Sequence, residues 1–426
     1  MPARLLVLSN GHGEDLIARR VIQALHGRRP SLAVAVLPLV GRGDAYAPQE
    51  AAGFVQRIGP SQQLPSGGFS NQSLRGLARD LAAGLPGLSW QQWQTVRAWG
   101  RRGDPVLAVG DLLPLLLAWL SGAPFGFIGT PKSDFTWASP PPRGWGSSPI
   151  ADGYHRAKGS EWDPWEWALM GSRRCRLVAV RDQLTARGLR RHRIAAQAPG
   201  NPMMDGFSSQ PLPASLAGNP RLLLLPGSRF PEALGNARGL LAALAQLPPS
   251  GPAPLALLAC GSNPGDGIWW PLLEQAGWRR QEPSPEALSI GATSAWVLAP
   301  EPGQGHAAPR RLLVGCGCFE RWAPWADLAL ATAGTATEQV VGLGIPALSL
   351  PGPGPQFKAS FARRQSRLLG GAVVPCHSPT QMAERLALLL QDTNLRQQLG
   401  AIGRRRMGPP GGSNALATLV DQRLLG

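Results

Sequence analysis

Residues 106–129 read VLAVGDLLPLLLAWLSGAPFGFIG. An apolar run of this length invites a membrane-spanning reading, but Asp111, Pro114, Gly122, Pro124 and Gly126 interrupt it. The breaks leave three pieces. Val106-Leu107-Ala108-Val109 has the length and composition of a buried strand, Leu112 to Leu120 makes a short apolar helix, and Phe125-Gly126-Phe127-Ile128 is the next strand. Strand, helix and strand in immediate succession is the rhythm of a doubly wound parallel sheet. Any membrane attachment is then peripheral.

The same rhythm runs through the whole chain. A strand over Arg4 to Ser9, a helix from about Glu14 to Leu25 and a strand over Leu32 to Leu39 precede the quoted stretch, while Leu177 to Val180 and Arg193-Ile194 read as later strands. A second set opens with a strand over Arg221 to Leu225, a helix over Gly235 to Gln246 and a strand over Pro254 to Ala259. It continues through strands at Ala295 to Leu298, Leu312 to Val314 and Leu328 to Ala331, a helix over Thr337 to Leu343 and a strand over Pro346 to Leu350. Between the sets, Phe207-Ser208-Ser209-Gln210-Pro211-Leu212-Pro213 has linker composition. The sequence therefore predicts an α/β protein of two Rossmann-like doubly wound domains, 1–206 and 221–406, with a linker over 207–220 and substrates in the cleft between the domains.

Composition agrees with two packed domains and excludes a disordered chain, since 43% of the 426 residues are hydrophobic. The 42 basic and 26 acidic residues leave a net charge of +16, although only 16% of residues are charged. Lys132, Lys158 and Lys358 are the only lysines, so arginine carries nearly all of the excess, a bias that also accords with GC-rich coding. Up to residue 216 there are 24 basic and 14 acidic residues, and 18 and 12 after it, so the halves carry +10 and +6. Arginine pairs such as Arg28-Arg29 and Arg101-Arg102 are dispersed, which suits phosphate groups or an anionic membrane surface better than a nucleic-acid arm. No zinc finger, RNA-recognition signature or basic zipper appears, so nucleic acid is not the expected partner. Cys175, Cys260, Cys316, Cys318 and Cys376 are scattered and odd in number, which reads as free thiols in a reducing cytosol rather than a metal or redox site.

The chemistry is expected at strand ends. Ser9-Asn10-Gly11-His12-Gly13-Glu14-Asp15 joins the first strand to its helix; Gly11 and Gly13 let backbone N–H groups approach a ligand, and Glu14 and Asp15 favour sugar hydroxyls over phosphate. His12 is a candidate general base there, set against an ordinary structural role for a loop histidine. Gly110-Asp111 follows a buried strand, where the carboxylate can accept a proton from an attacking hydroxyl while also capping the Leu112 helix. Lys132 and Ser133, in the loop after the next strand, offer a cation and a hydroxyl to a substrate anion. In the second domain, Pro226-Gly227-Ser228-Arg229 places a guanidinium beside backbone amides, a pairing suited to a diphosphate. Ala333-Gly334-Thr335-Ala336-Thr337-Glu338 opens a helix after a strand, presenting N–H groups to phosphate and Glu338 to a ribose diol. Two anion-receptive turns in one domain point to a nucleotide-diphosphate site. Gln356, in the Pro351–Gln356 loop, and Gln365, on the helix that follows it, are candidates for reading sugar hydroxyls, with plain packing an equal alternative.

Pro226-Gly227-Ser228-Arg229, the run from Ala326 to Glu338, Gly200-Asn201-Pro202-Met203-Met204-Asp205 and Gly13 to Ala18 together resemble the lipid-A-disaccharide synthases and a related branch, in order over most of the chain. More distantly the chain is similar to the peptidoglycan enzyme that adds GlcNAc to lipid I and to the UDP-GlcNAc 2-epimerases. The resemblance implies a GT-B glycosyltransferase that is inverting and metal-independent, needs no cofactor, and takes a UDP-sugar in the C-terminal domain and a lipid acceptor against the N-terminal one. It matches Arg229 to the family's essential arginine and Asp111 to its proposed base, and carries the tail, 407–426, back to the first domain as a helix. The family has a serine at the place of Ala333 and an acid at that of Gln339, which implies a related branch rather than lipid A synthesis itself. The resulting expectation is transfer of a hexosamine-type sugar from UDP to a lipid or membrane-associated acceptor by a cytoplasmic protein, peripheral at the inner face of the plasma membrane. The alternatives are a UDP-sugar 2-epimerase and a non-catalytic nucleotide-sugar-binding protein.

Overall fold

The structure, a computed structural model, describes residues 3–62, 81, 84–207, 210–248, 253–299, 309–352 and 357–426. The chain forms two compact units, one of residues 1–138, 148–205 and 408–426 and the other of 139–147 and 206–407. Residues 139–147, inside the first expected domain by chain order, thus belong to the second unit.

The first unit is built on a seven-stranded parallel sheet. Its strands are β1 (Arg4–Ser9), β2 (Ala33–Pro38), β3 (Val55–Arg57), β4 (Val106–Gly110), β5 (Phe125–Gly129), β6 (Cys175–Val180) and β7 (Ala196–Gln197), in the spatial order β3-β2-β1-β4-β5-β6-β7. The quoted stretch is β4, the Leu112–Leu120 helix and β5, with Val106 to Gly110 running parallel beside Phe125 to Gly129. Central strands must be apolar on both sides because helices cover both faces of a parallel sheet. Accordingly Leu6, Leu8, Val106, Ala108, Phe125 and Phe127 enter one core cluster while Leu5, Val7, Leu107 and Val109 enter another. Ile194 is buried but lies outside any strand; the last strand is the short Ala196–Gln197, because Arg193 has a positive φ of 61° and turns the chain before it.

The C-terminal Gly412–Arg423 helix packs on the His12–Arg28 helix and buries Leu416, Ala417 and Val420. Gly200-Asn201-Pro202-Met203-Met204-Asp205 makes its seat. Asp205 accepts hydrogen bonds from the Gly411 and Ser413 N–H groups, and a Cβ on Gly412 would stand 2.5 Å from the Asn201 carbonyl carbon.

The second unit holds an eight-stranded sheet of β8 (Arg221–Leu225), β9 (Leu255–Cys260), β10 (Arg279–Gln281), β11 (Ser294–Leu298), β12 (Arg310–Cys316), β13 (Leu328–Ala331), β14 (Ala347–Ser349) and β15 (Val373–Pro375). The order is β10-β11-β12-β9-β8-β13-β14-β15, parallel except at the β10-β11-β12 edge. Leu222, Leu224, Ala256, Leu258, Leu312 and Leu330 share one core with the Glu232–Ala245 and Pro379–Gln391 helices. No helix among the described residues is long and apolar enough to cross a membrane.

Candidate functional site

In both sheets the chain reverses its direction of winding at one point, and the candidate residues collect there. From β1 the first unit winds outward to β2 and β3 and then returns to the other side with β4, so the switch lies between β1 and β4. The second winds from β8 through β9 and returns with β13, which puts its switch between β8 and β13. Strand carboxyl ends at such a point diverge and leave backbone groups open to a ligand.

At the first switch point Asn10, just after β1, donates from Nδ2 to Asp111 Oδ1 at 2.6 Å, and the same oxygen caps the Leu112–Leu120 helix by accepting from the Leu113 N–H at 3.1 Å. Asp111 therefore caps this helix, one of the two roles that its position suggested. Its pKa is raised by burial, against the hydrogen bonds and the attraction of Lys132. Gly110, at φ 138°, lets Asn10 come this close, since a Cβ there would lie 1.9 Å from Asn10 Oδ1. Glu14 reaches Thr130, after β5, whose hydroxyl donates to it at 3.4 Å, and a Cβ on Gly11 would meet its carboxylate at 3.0 Å. Burial first, then the nearby Asp111 and Asp15 charges, push Glu14 up to about 7. His12, the first residue of its helix, is exposed, and Gly13 follows it in the first turn.

Other residues of these loops belong to the fold. Asp15 is 3% exposed, accepts from Ser9 Oγ at 2.6 Å and is pushed by burial to about 7; Ser9 is in turn bonded to the buried Tyr46 hydroxyl at 2.8 Å. Ser133 is fully buried and its hydroxyl donates to Asp182, which caps the Gln183–Arg191 helix. It is thus a brace between loops and not a group open to a substrate anion. Lys132 is held by Glu166 at 2.5 Å and Asp163 at 3.6 Å, so its charge already has two carboxylates and acts on Asp111 only through space.

At the second switch point the two turns expected to receive a diphosphate stand on adjacent strands, for Leu222 to Leu225 of β8 pair with Leu328 to Ala331 of β13. Gly227, at φ 96°, turns the chain after β8, Ser228 is exposed and Arg229 is partly exposed. After β13, Gly334 begins the Thr335–Gly342 helix with no side-chain cap, which leaves its first N–H groups without a partner from a capping side chain. Thr337 is fully buried and donates to the Ala333 carbonyl at 2.5 Å, so it stiffens the turn instead of meeting a ligand. Glu338 is partly exposed whereas Gln339 is 4% exposed, which leaves Glu338 as the acid of this turn that a ligand can reach. Gln356 lies outside the described residues. Gln365 is 2% exposed and bonded to the Ala333 and Gly334 carbonyls, not turned toward a sugar. Sequence reasoning missed Asn10 and Thr130, whose side chains find their partners only through strand pairing; for Asn10 the signal was its place inside the Ser9–Asp15 motif.

No protein-family model and no curated protein matches the chain. Among solved structures, it is similar to one from Listeria monocytogenes assigned as a UDP-N-acetylglucosamine 2-epimerase, at 10% identity, covering 99% of this chain and 96% of that one with a TM-score of 0.57. A ugt transferase from Siraitia grosvenorii in complex with UDP matches at 15% identity, 99% and 100% coverage and TM-score 0.55. Acinetobacter baumannii MurG matches at 16% identity, 99% and 100% coverage and TM-score 0.53. Over its full length the chain therefore has the α/β fold of the GT-B proteins, with two Rossmann-like parallel-sheet domains.

Proposed function

We propose that the protein is a glycosyltransferase that moves a hexosamine-type sugar, with inversion, from UDP to a hydroxyl of a lipid or membrane-associated acceptor. One observation carries the reading: the two anion-receptive turns of the second unit stand side by side at its switch point, one with Arg229 and the other opening a helix with uncapped N–H groups. Bidentate guanidinium contacts and helix N-terminal amides both stabilise phosphate charge, and they do so most as the diphosphate departs. This donor set needs neither metal nor cofactor to meet that charge. Gly227, Ser228, Gly334, Thr335 and Glu338 complete the donor side, Glu338 toward the ribose diol. In the first unit, Asp111, held by Asn10 and raised by burial, is the base for the acceptor hydroxyl, with Glu14 beside it and His12 as the less favoured candidate. A structural neighbour solved with UDP supports the choice of nucleotide.

A second reading, UDP-sugar 2-epimerase, draws on the Listeria neighbour and on the Glu14 and Asp111 pair, since epimerisation needs acid and base carboxylates and no acceptor. Calorimetry with UDP and UDP-GlcNAc tests the shared premise. We expect binding that Arg229→Ala weakens by about tenfold or more, the usual worth of a charge-assisted hydrogen bond; no binding by the wild type would sink both readings. Radiolabel passing from the sugar nucleotide into extracted lipid supports transfer, and label found only in an epimerised nucleotide supports the second reading.

A further inference from the structure

A buried carboxamide stands behind each of the two turns of the second unit. Asn236, 8% exposed on the Glu232–Ala245 helix, donates from Nδ2 to the Pro226 carbonyl at 2.9 Å. Gln365, 2% exposed on the Ala359–Leu368 helix, donates from Nε2 to the Gly334 carbonyl at 3.1 Å and the Ala333 carbonyl at 3.3 Å. In both side chains the other half of the amide, Asn236 Oδ1 and Gln365 Oε1, is buried and takes no hydrogen bond among the described residues.

A buried acceptor without a partner weakens a fold, and an apolar side chain of the same shape avoids that penalty. The bond that each amide donates is offset by the cost of its unpartnered oxygen, so stability alone gives little reason for an amide at either place. Each amide does, however, take up carbonyl oxygens of a turn. Those oxygens repel an anion, and fixing them leaves the N–H groups as the polar surface of the turn. The surroundings keep both amides in register. A Cβ on Gly352 would stand 2.1 Å from Asn236 Oδ1. The helix that carries Gln365 is itself tied down where Arg367 Nε donates to the Ser139 carbonyl at 2.8 Å.

We infer that Asn236 and Gln365 are positioning residues for a nucleoside diphosphate: by holding the Pro226, Ala333 and Gly334 carbonyls aside, they turn the N–H groups of both turns toward its phosphates. The inference rests on the donor reading proposed above. It is tested by calorimetry with UDP on the full chain, alongside thermal unfolding, for wild type, Asn236→Leu and Gln365→Met. The expected result is a cooperative transition for each variant with a Tm near that of wild type, the lost donor and the relieved oxygen offsetting each other, and UDP bound about tenfold or more weakly. Variants that bind UDP as wild type does overturn the inference and leave the donor reading intact. Binding lost only because a variant is unfolded at the assay temperature also overturns it, because the amides are then structural. A wild type that binds no UDP removes the donor reading and this inference together.

Discussion

Asp134 follows Ser133 in a loop that reads as a ligand loop, yet it is 1% exposed and accepts from the Glu161 N–H at 2.7 Å. Burial, with the Asp182 and Glu161 charges adding to it, raises its pKa from 3.8 to about 7. The native protein therefore keeps a proton that the unfolded chain releases, so its stabilising effect is complete below pH 3.8 and is lost as pH rises through 7. At about 1.4 kcal/mol per pH unit the loss is on the order of 4 kcal/mol. Denaturant unfolding at pH 5 and pH 8 should show Asp134→Asn losing less stability between the two than wild type; an equal loss would mean that Asp134 is ionised throughout. Asp15 acts in the same direction, being buried and raised to about 7. Residue type and loop position marked Ser133, Asp15 and Thr337 as polar groups near a ligand, but only the packing around them turns their hydrogen bonds inward, to Asp182, Ser9 and the Ala333 carbonyl.

The Leu112–Leu120 helix is apolar all round, and in the structure one side of it is uncovered. Leu113, Leu116, Trp119 and Leu120 are each 36% to 37% exposed, and the Arg174 guanidinium lies 5.7 Å from the centre of the Trp119 ring. An apolar stripe edged by arginine and tryptophan suits the interface of an anionic bilayer, and so it bears on the proposed lipid acceptor. Cosedimentation with vesicles containing anionic phospholipid should pellet the wild type but much less of a Leu116→Asp, Trp119→Ser variant, with UDP affinity unchanged. Equal pelleting would withdraw this helix from membrane contact. The helix was legible from the breaks at Asp111 and Gly122. Which of its sides is uncovered was not, because an apolar helix carries no sign of where its neighbours stop.

At the scale of the molecule, the first unit is closed by the last residues of the chain. The Gly412–Arg423 helix and Leu424 bury Leu416, Ala417, Val420 and Leu424, and Asp421 pairs with Arg28 and Arg29 at the end of the His12–Arg28 helix. With roughly 1.5–3 kcal/mol for each larger side chain removed from its core, a chain ending at Met407 loses much of an ordinary folding margin. We expect that truncation to unfold the first unit, seen as loss of its cooperative transition and rapid proteolysis within residues 84–138 and 148–205. An unchanged transition would show that the helix is dispensable. The sequence by itself determined the architecture. Apolar runs of strand length separated by helical segments leave little choice but mainly parallel sheets covered on both faces, and the glycines and charged residues after those runs marked the turns that the proposed function uses; the antiparallel β10-β11-β12 edge was not legible in them. It did not determine which of the marked residues a ligand can reach, since that depends on which strands lie side by side. Pairing β1 with β4 sets Asn10 against Asp111, and pairing β8 with β13 sets the Gly227 and Gly334 turns side by side, while Gln365 reaches the second turn from a later helix. Side chains far apart in the chain met only once the sheets had formed, so tertiary structure decided the division between braces and exposed groups.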